Sequence, residues 1–320
     1  MGETDSNWQS RTLLLRALFL IAAALALCLA LLTLLGRSSE FDFSVLAGNE
    51  YLGAALLLQV CGLGLFVLAW HFLLRESATT RTSLMESAAH IGVTLLGKYL
   101  PGKIWGLLGR GYLLSRRGVP ASNTASLLLA DQFLTFYSGL LIGIIALLAV
   151  YSPVAGLLAL ALGLVSSPIV LKLNFTIISW IAGKAARWFH LLDDGPQPLA
   201  LQIRAQSLIT PLLIYTLHWL VISLVLVLLF LPLLEEQLAS NTLLLVSAIP
   251  LAMLTGFLAL WAPGGIGVRE AVIIAILSLN LELELATTIA ISYRLLCVLN
   301  DLVMGSLAIG YYGRDHILSR

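Results

Sequence analysis

The chain has 320 residues, 59% of them hydrophobic and only 11% charged, with a formal net charge of +1. A mean hydropathy of +0.97 and solid apolar runs of about 20 residues, each long enough for a hydrocarbon core about 30 Å thick, exclude a soluble domain. The runs lack the apolar–polar alternation of a transmembrane β-barrel, and the near-zero net charge names no nucleic-acid or other charged partner. The expected class is an all-α, polytopic membrane bundle.

In chain order, Leu13–Leu35 forms the first span. It is too long, and begins too late, for a cleaved signal peptide, so a retained helix is expected. Spans follow at 51–74, 125–150, 154–174, 207–231, 242–260 and 285–312, with two broken or short apolar stretches at 84–114 and 267–281. Cys28, Cys61 and Cys297 lie in apolar runs without metal-ligand spacing, so they pack rather than fix a redox compartment. The segment 175–206 reads either as a cytoplasmic interfacial helix, with Lys184 and Arg187 opposite an apolar face, or as an extension of the preceding span; "DDGPQP" at 193–198 is a linker.

Arg11, Arg16, Arg75, Arg81, Arg116, Arg117, Lys184, Arg187, Arg204, Arg314 and Arg320 fall on one side if 84–114 enters and leaves by the same face. The other side carries Glu40, Asp42, Glu50, Glu235, Glu236, Glu282 and Glu284, with Arg37 its one loop cation. The excess of Lys and Arg in short loops marks the cytoplasm, so both termini are expected there, in a cytoplasmic (inner) membrane.

The broken stretches explain each other. "GKYLPGKIWGLLGR", 97–110, places Pro101 and four glycines in an apolar context; proline removes a donor and clashes with the preceding turn. "WAPGGIGVRE", 261–270, repeats the core Pro-Gly-x-Ile, and each copy is followed by an arginine, Arg110 or Arg269. The prolines, 101 and 263, stand 162 residues apart, about half the chain. Backbone freed by a break cannot face lipid. Matching broken segments in two halves of opposite starting side are the mark of an inverted repeat with a binding site near mid-membrane. The halves are expected at 1–152 and 153–320.

A charge inside a span costs roughly 2.5–3.5 kcal/mol, so each one asks for a reason. Lys98, Lys103, Arg110, Asp131, Arg269, Glu270, Arg294 and Asp301 are such charges. Arg294 and Asp301, seven apart, share a helix face. Two readings remain open at this stage. In one, the acids and bases neutralise one another and lock the bundle. In the other, Lys103, Arg110, Arg269 and Arg294 hold an anion, beside helix breaks whose free N–H groups suit phosphate, while Asp131, Glu270 and Asp301 tune or release it. The five histidines are scattered, and no phosphate-binding loop or hydrolase motif is present. No cofactor, no metal and no enzymatic activity are expected.

"PGKIWGLLGRGYLLSRRGVPASNTAS", followed by an acid early in the next span, and "PGGIGVREAVIIAIL" with a later "YRLL" resemble the lysylphosphatidylglycerol synthase transmembrane-region family, which covers nearly the whole chain. The resemblance implies a flippase-like membrane protein near lipid and glycan biosynthesis. Where members often carry Glu-Arg this chain has Asp131-Gln132, which keeps the acid and loses a cation. The sequence shows no soluble aminoacyl-transfer domain like that of the bifunctional members, so lysyl transfer is not expected. The expected partners are membrane lipids, phospholipid or polyprenyl-linked, moved by a translocator. The alternative is a non-transporting subunit that holds such a lipid for a biosynthetic enzyme. A lipid-phosphate enzyme would need a nucleophile or metal cluster that the sequence does not display.

Overall fold

The computed structural model describes residues 50–76, 82–100, 104–188, 205–233 and 238–318, with the side chains of 122, 173–188, 205–206 and 313–318 left undescribed. The first span, the linker at 193–198 and Lys103 lie outside these residues. The described residues form nine α-helices: α1 (Leu52–Glu76), α2 (Leu84–Gly97), α3 (Trp105–Arg116), α4 (Ala121–Tyr151), α5 (Pro153–Trp188), α6 (Ile209–Phe230), α7 (Leu238–Leu258), α8 (Val268–Leu277) and α9 (Leu283–Leu318). Six stretches, in α1, α4, α5, α6, α7 and α9, are long and apolar enough to cross a membrane. They coincide with the six sequence-expected spans after the first.

Both expected breaks occur. Helix stops at Gly97 and resumes at Trp105; it stops again at Leu258 and resumes at Val268, with a 3-10 turn at Pro263–Gly265 between. The second break is set by glycine. Gly264 (φ 59°) and Gly265 (φ 73°) hold left-handed conformations that other residues reach only with strain. A proline starts the turn, where its missing N–H costs nothing.

Each break folds its flanking helices into a hairpin. In the first, α2 packs on α3 so closely that a Cβ on Gly97 would collide with the backbone of Gly106. Its open end is closed by Arg117 Nε on Glu86 Oε1 at 2.7 Å, so the start of α2 and the end of α3 lie together. In the second, α7 packs on α8, and at the open end Asn280 Nδ2 donates to Ser240 Oγ at 3.2 Å. The helices preceding the hairpins, α1 and α6, are antiparallel: Gly62 meets His218 and Ile222, and Phe66 stacks edge-on against Tyr215. The two hairpins therefore open at opposite ends of the bundle.

Each hairpin has its own core. Trp70, Leu73, Ile91, Leu114, Leu127 and Leu134 surround the first; Leu226, Phe230, Leu245, Ile249, Ile273 and Ile289 surround the second. The remaining long helices bind the halves crosswise. α9 runs antiparallel along α2, where Gly92 faces Met304 and Gly305 faces Leu96. α4 runs antiparallel along α7, where Phe136 meets Phe257 at 4.8 Å and Gly143 faces Leu251.

Residues 175–188 form the last part of α5, which continues unbroken through Trp188. At 1.5 Å per residue its 36 residues extend about 54 Å, well beyond one hydrocarbon thickness.

Candidate functional site

The tips of the hairpins meet. The Gly264 N–H at the second break donates to the Lys98 carbonyl at the first, at 2.9 Å. Tyr99, Leu100, Gly264 and Gly265 are all buried there. A Cβ on Gly264 would stand 2.8 Å from the Tyr99 ring, so a side chain at this position would push the tips apart.

α9 supplies the third side of the junction. Asp301 accepts from Lys98 Nζ at 2.7 Å and from the Tyr99 hydroxyl, fastening the first tip. Seven residues earlier on the same face, Arg294 donates through Nη1 to the Gly264 carbonyl at 3.0 Å, fastening the second. Its Nε lies 3.4 Å from Glu270 Oε1. Glu270 belongs to the first turn of α8, where its other oxygen, Oε2, accepts the Gly267 N–H at 2.7 Å. That is half of a capping box, and it satisfies a donor at the helix start.

Arg269, the neighbour of Glu270, is 5% exposed, and its Nε and Nη1 have no hydrogen-bond partner among the described residues. None of the ion pairs among those residues includes it. Its side chain lies against Gly256 and Gly265. Arg294, 3% exposed, likewise has Nη2 without a partner. The two guanidinium groups thus flank one turn: Arg294 Nη2 lies 3.1 Å from the Cβ position of Gly264, and Arg269 Nε 2.7 Å from that of Gly265. Lys98, Arg269 and Arg294 against Glu270 and Asp301 leave one positive charge in excess among the described residues of the junction. A buried charge without a counter-charge is costly. The arrangement favours one anion with several acceptor oxygens, for which guanidinium forks are suited.

Of the residues expected from the sequence, the junction brings together Arg269, Glu270, Arg294 and Asp301. Lys103 lies outside the described residues. Arg110 and Asp131 pair with each other instead, at 2.6 Å, and both are 0% exposed. Asp131 also accepts from the Tyr215 hydroxyl and, at 3.1 Å, from Gln132. The Arg110 guanidinium stacks 4.1 Å from the centre of the Trp70 ring, an attractive cation–π contact. This group ties α3 to α4, α6 and α1. Sequence reasoning did not single out Lys98 as a site residue, and it missed Tyr99, Tyr215 and Trp70. The first of these had a signal, since Lys98 is an intramembrane charge beside a helix break.

Apolar side chains crowd the outer edges of both tips. Ile104, Trp105 and Leu108 are exposed beside the first; Leu258, Leu260 and, at 81%, Trp261 beside the second.

Opposed hairpins, buried ionic groups and long apolar helices define a polytopic helical membrane protein with a charged site inside the bundle. The family model described as "Lysylphosphatidylglycerol synthase TM region" matches residues 20–305, and the chain belongs to this family of membrane proteins related to lipid metabolism. No curated protein and no solved structure matches the chain.

Proposed function

We propose that the protein is a lipid translocator of the cytoplasmic membrane that binds an anionic or zwitterionic headgroup, of a phospholipid or a polyprenyl phosphate, where the hairpin tips meet. The observation that carries this reading is Arg269: a buried cation with unpartnered N–H groups, at a helix break, beside the half-satisfied Arg294. Arg269 and Arg294 take the headgroup phosphate from one side. Lys103, which follows the first break in the sequence, is the expected further cation. Tails remain in lipid along the apolar edges of the tips. The hairpins are re-entrant from opposite faces and form equivalent parts of an inverted repeat. α2 on α9 and α7 on α4 are then equivalent contacts, and rocking of the halves alternates access. The excess of Lys and Arg in the loops of one side supports termini in the cytoplasm. The protein carries out no bond-making chemistry of its own. Arg110 and Asp131 act as a strut that keeps the first hairpin in place.

One feature favours the second reading, a lipid-holding subunit for a lipid or glycan biosynthetic enzyme: the hydrogen bond from Gly264 to Lys98 seals the tips together. Reconstitution separates the two. In liposomes containing purified protein and fluorescent headgroup-labelled phosphatidylglycerol, the translocator makes inner-leaflet label accessible to an external quencher. Arg269→Ala and Arg294→Ala lower that rate at least tenfold. Wild-type rates in both variants would sink the proposed path; a wild-type protein that binds lipid but moves none would leave the accessory role.

A further inference from the structure

In each half of the chain one ion pair ties the second arm of the hairpin to the helix that follows. The first is Arg110 of α3 with Asp131 of α4; the second is Glu270 of α8 with Arg294 of α9. Acid and base have exchanged places, and the two pairs differ in quality. The first is 2.6 Å long with both side chains at most 1% exposed, and its carboxylate accepts from three donors. The second is 3.4 Å long, beyond a good N–H···O hydrogen bond, and the Glu270 side chain is 14% exposed.

We propose that Glu270 is a built-in competitor for the ligand's phosphate: its carboxylate sits on the edge of Arg294 that the phosphate takes, and it sets affinity low enough for release. This rests on the headgroup reading above. Arg294 has one arm committed, Nη1 to the Gly264 carbonyl. Its Nε and Nη2 form the other edge of the guanidinium, the edge that grips an oxyanion through two parallel N–H bonds. Among the described residues Nη2 has no partner and Nε has the long contact with Glu270. A phosphate on that edge need not disturb Gly264. It also comes beside the turn that Arg269 flanks, so both arginines share it. Glu270 can yield without being stranded, because Oε2 keeps its bond from the Gly267 N–H at the positive end of α8.

A site with two buried arginines and no competitor would hold a phosphate too firmly for turnover. The competing carboxylate lowers the apparent affinity by the fraction of time that it occupies Arg294. Glu270 is thus a positioning and specificity residue rather than a transported group's direct ligand. It also disfavours ligands whose acceptor cannot outbid a carboxylate for a guanidinium, which selects phosphate over neutral hydroxyl headgroups.

Glu270→Gln is the decisive variant, because glutamine still accepts the Gly267 N–H but no longer holds Arg294 by charge. Binding is measured by quenching of the intrinsic tryptophan fluorescence of purified protein in phosphatidylcholine nanodiscs. One arm uses dihexanoyl-phosphatidylglycerol, the other inorganic phosphate, and the quenching assay in liposomes gives the rate. The proposal predicts that E270Q binds the short lipid at least about fivefold tighter than wild type, melts at the same temperature, and moves labelled lipid more slowly. The same tightening for inorganic phosphate alone would keep the competitor role and discard the lipid as its source. E270Q binding equal to or weaker than wild type, with R269A still abolishing binding, would overturn the competitor and leave the headgroup site standing. Equal binding by wild type and R269A would overturn both.

Discussion

Asp131→Ala isolates the strut. The carboxylate holds Arg110, Tyr215 and Gln132, and Arg110 is fully buried with Nε and Nη1 already unpartnered. Deleting the acid leaves a buried guanidinium without a counter-charge, held against the Trp70 ring 4.1 Å away. Breaking a buried pair from one side costs about 3–5 kcal/mol, and stranding the Tyr215 hydroxyl adds about 1 kcal/mol. The ring contact, worth about 1–2 kcal/mol when desolvated, persists in both proteins and cancels, so the total loss is about 4–6 kcal/mol. The melting temperature of the purified protein in detergent should then fall by about 10 °C. Arg110→Met combined with Asp131→Leu removes both charges and should recover most of the loss, since apolar replacements of a buried pair are often neutral. An Asp131→Ala protein that melts within about 2 °C of wild type would refute the strut. So would a double variant no more stable than the single.

Other substitutions test the tip junction. Gly264→Ala combines a left-handed backbone position with a Cβ 2.8 Å from the Tyr99 ring; it should destabilise by about 1–3 kcal/mol and weaken lipid binding, read in the same melting and nanodisc assays. Asp301→Asn keeps an acceptor for Tyr99 but leaves Lys98 without its carboxylate. A loss of about 2–4 kcal/mol is expected, and Tyr99→Phe should cost only about 1–2 kcal/mol; the opposite order would show that the hydroxyl, not the ion pair, fastens the first tip. Gly106→Leu should prevent α2 and α3 from closing, because Gly106 packs directly on the backbone of Thr94. Its predicted signature is poor folding yield, whereas the exposed Leu108 tolerates Ala within about 0.5 kcal/mol.

Much of this architecture is legible in the sequence because membranes punish exceptions. An apolar run of about 20 residues has few outcomes, and Pro-Gly pairs inside such runs mark breaks wherever they stand. The common face of Arg294 and Asp301 follows from helical spacing alone. Partner choice does not. Lys98 finds Asp301 across 203 positions, and Arg294 finds a backbone carbonyl that no side-chain pattern encodes. Tyr99 and Tyr215 lie in apolar runs, where tyrosine ordinarily reads as packing or an interfacial anchor; only tertiary contact makes them donors to buried acids. The intramembrane charges differ in their surroundings: Arg110 and Asp131 form a fully buried pair, whereas Arg269 and Arg294 keep N–H groups without a partner among the described residues. For 175–188, an amphipathic helix lying in the interface and one extending a span share the same periodicity, so hydrophobic pattern could not choose between them.

The most direct test of the central claim is native mass spectrometry of the protein purified in mild detergent from its own membrane, beside Arg269→Ala. The account predicts that wild type retains one phosphate-bearing lipid through the solvent switch and that the variant, at equal melting temperature, releases it. Equal retention by both, or a bound lipid without a phosphate, would contradict the account.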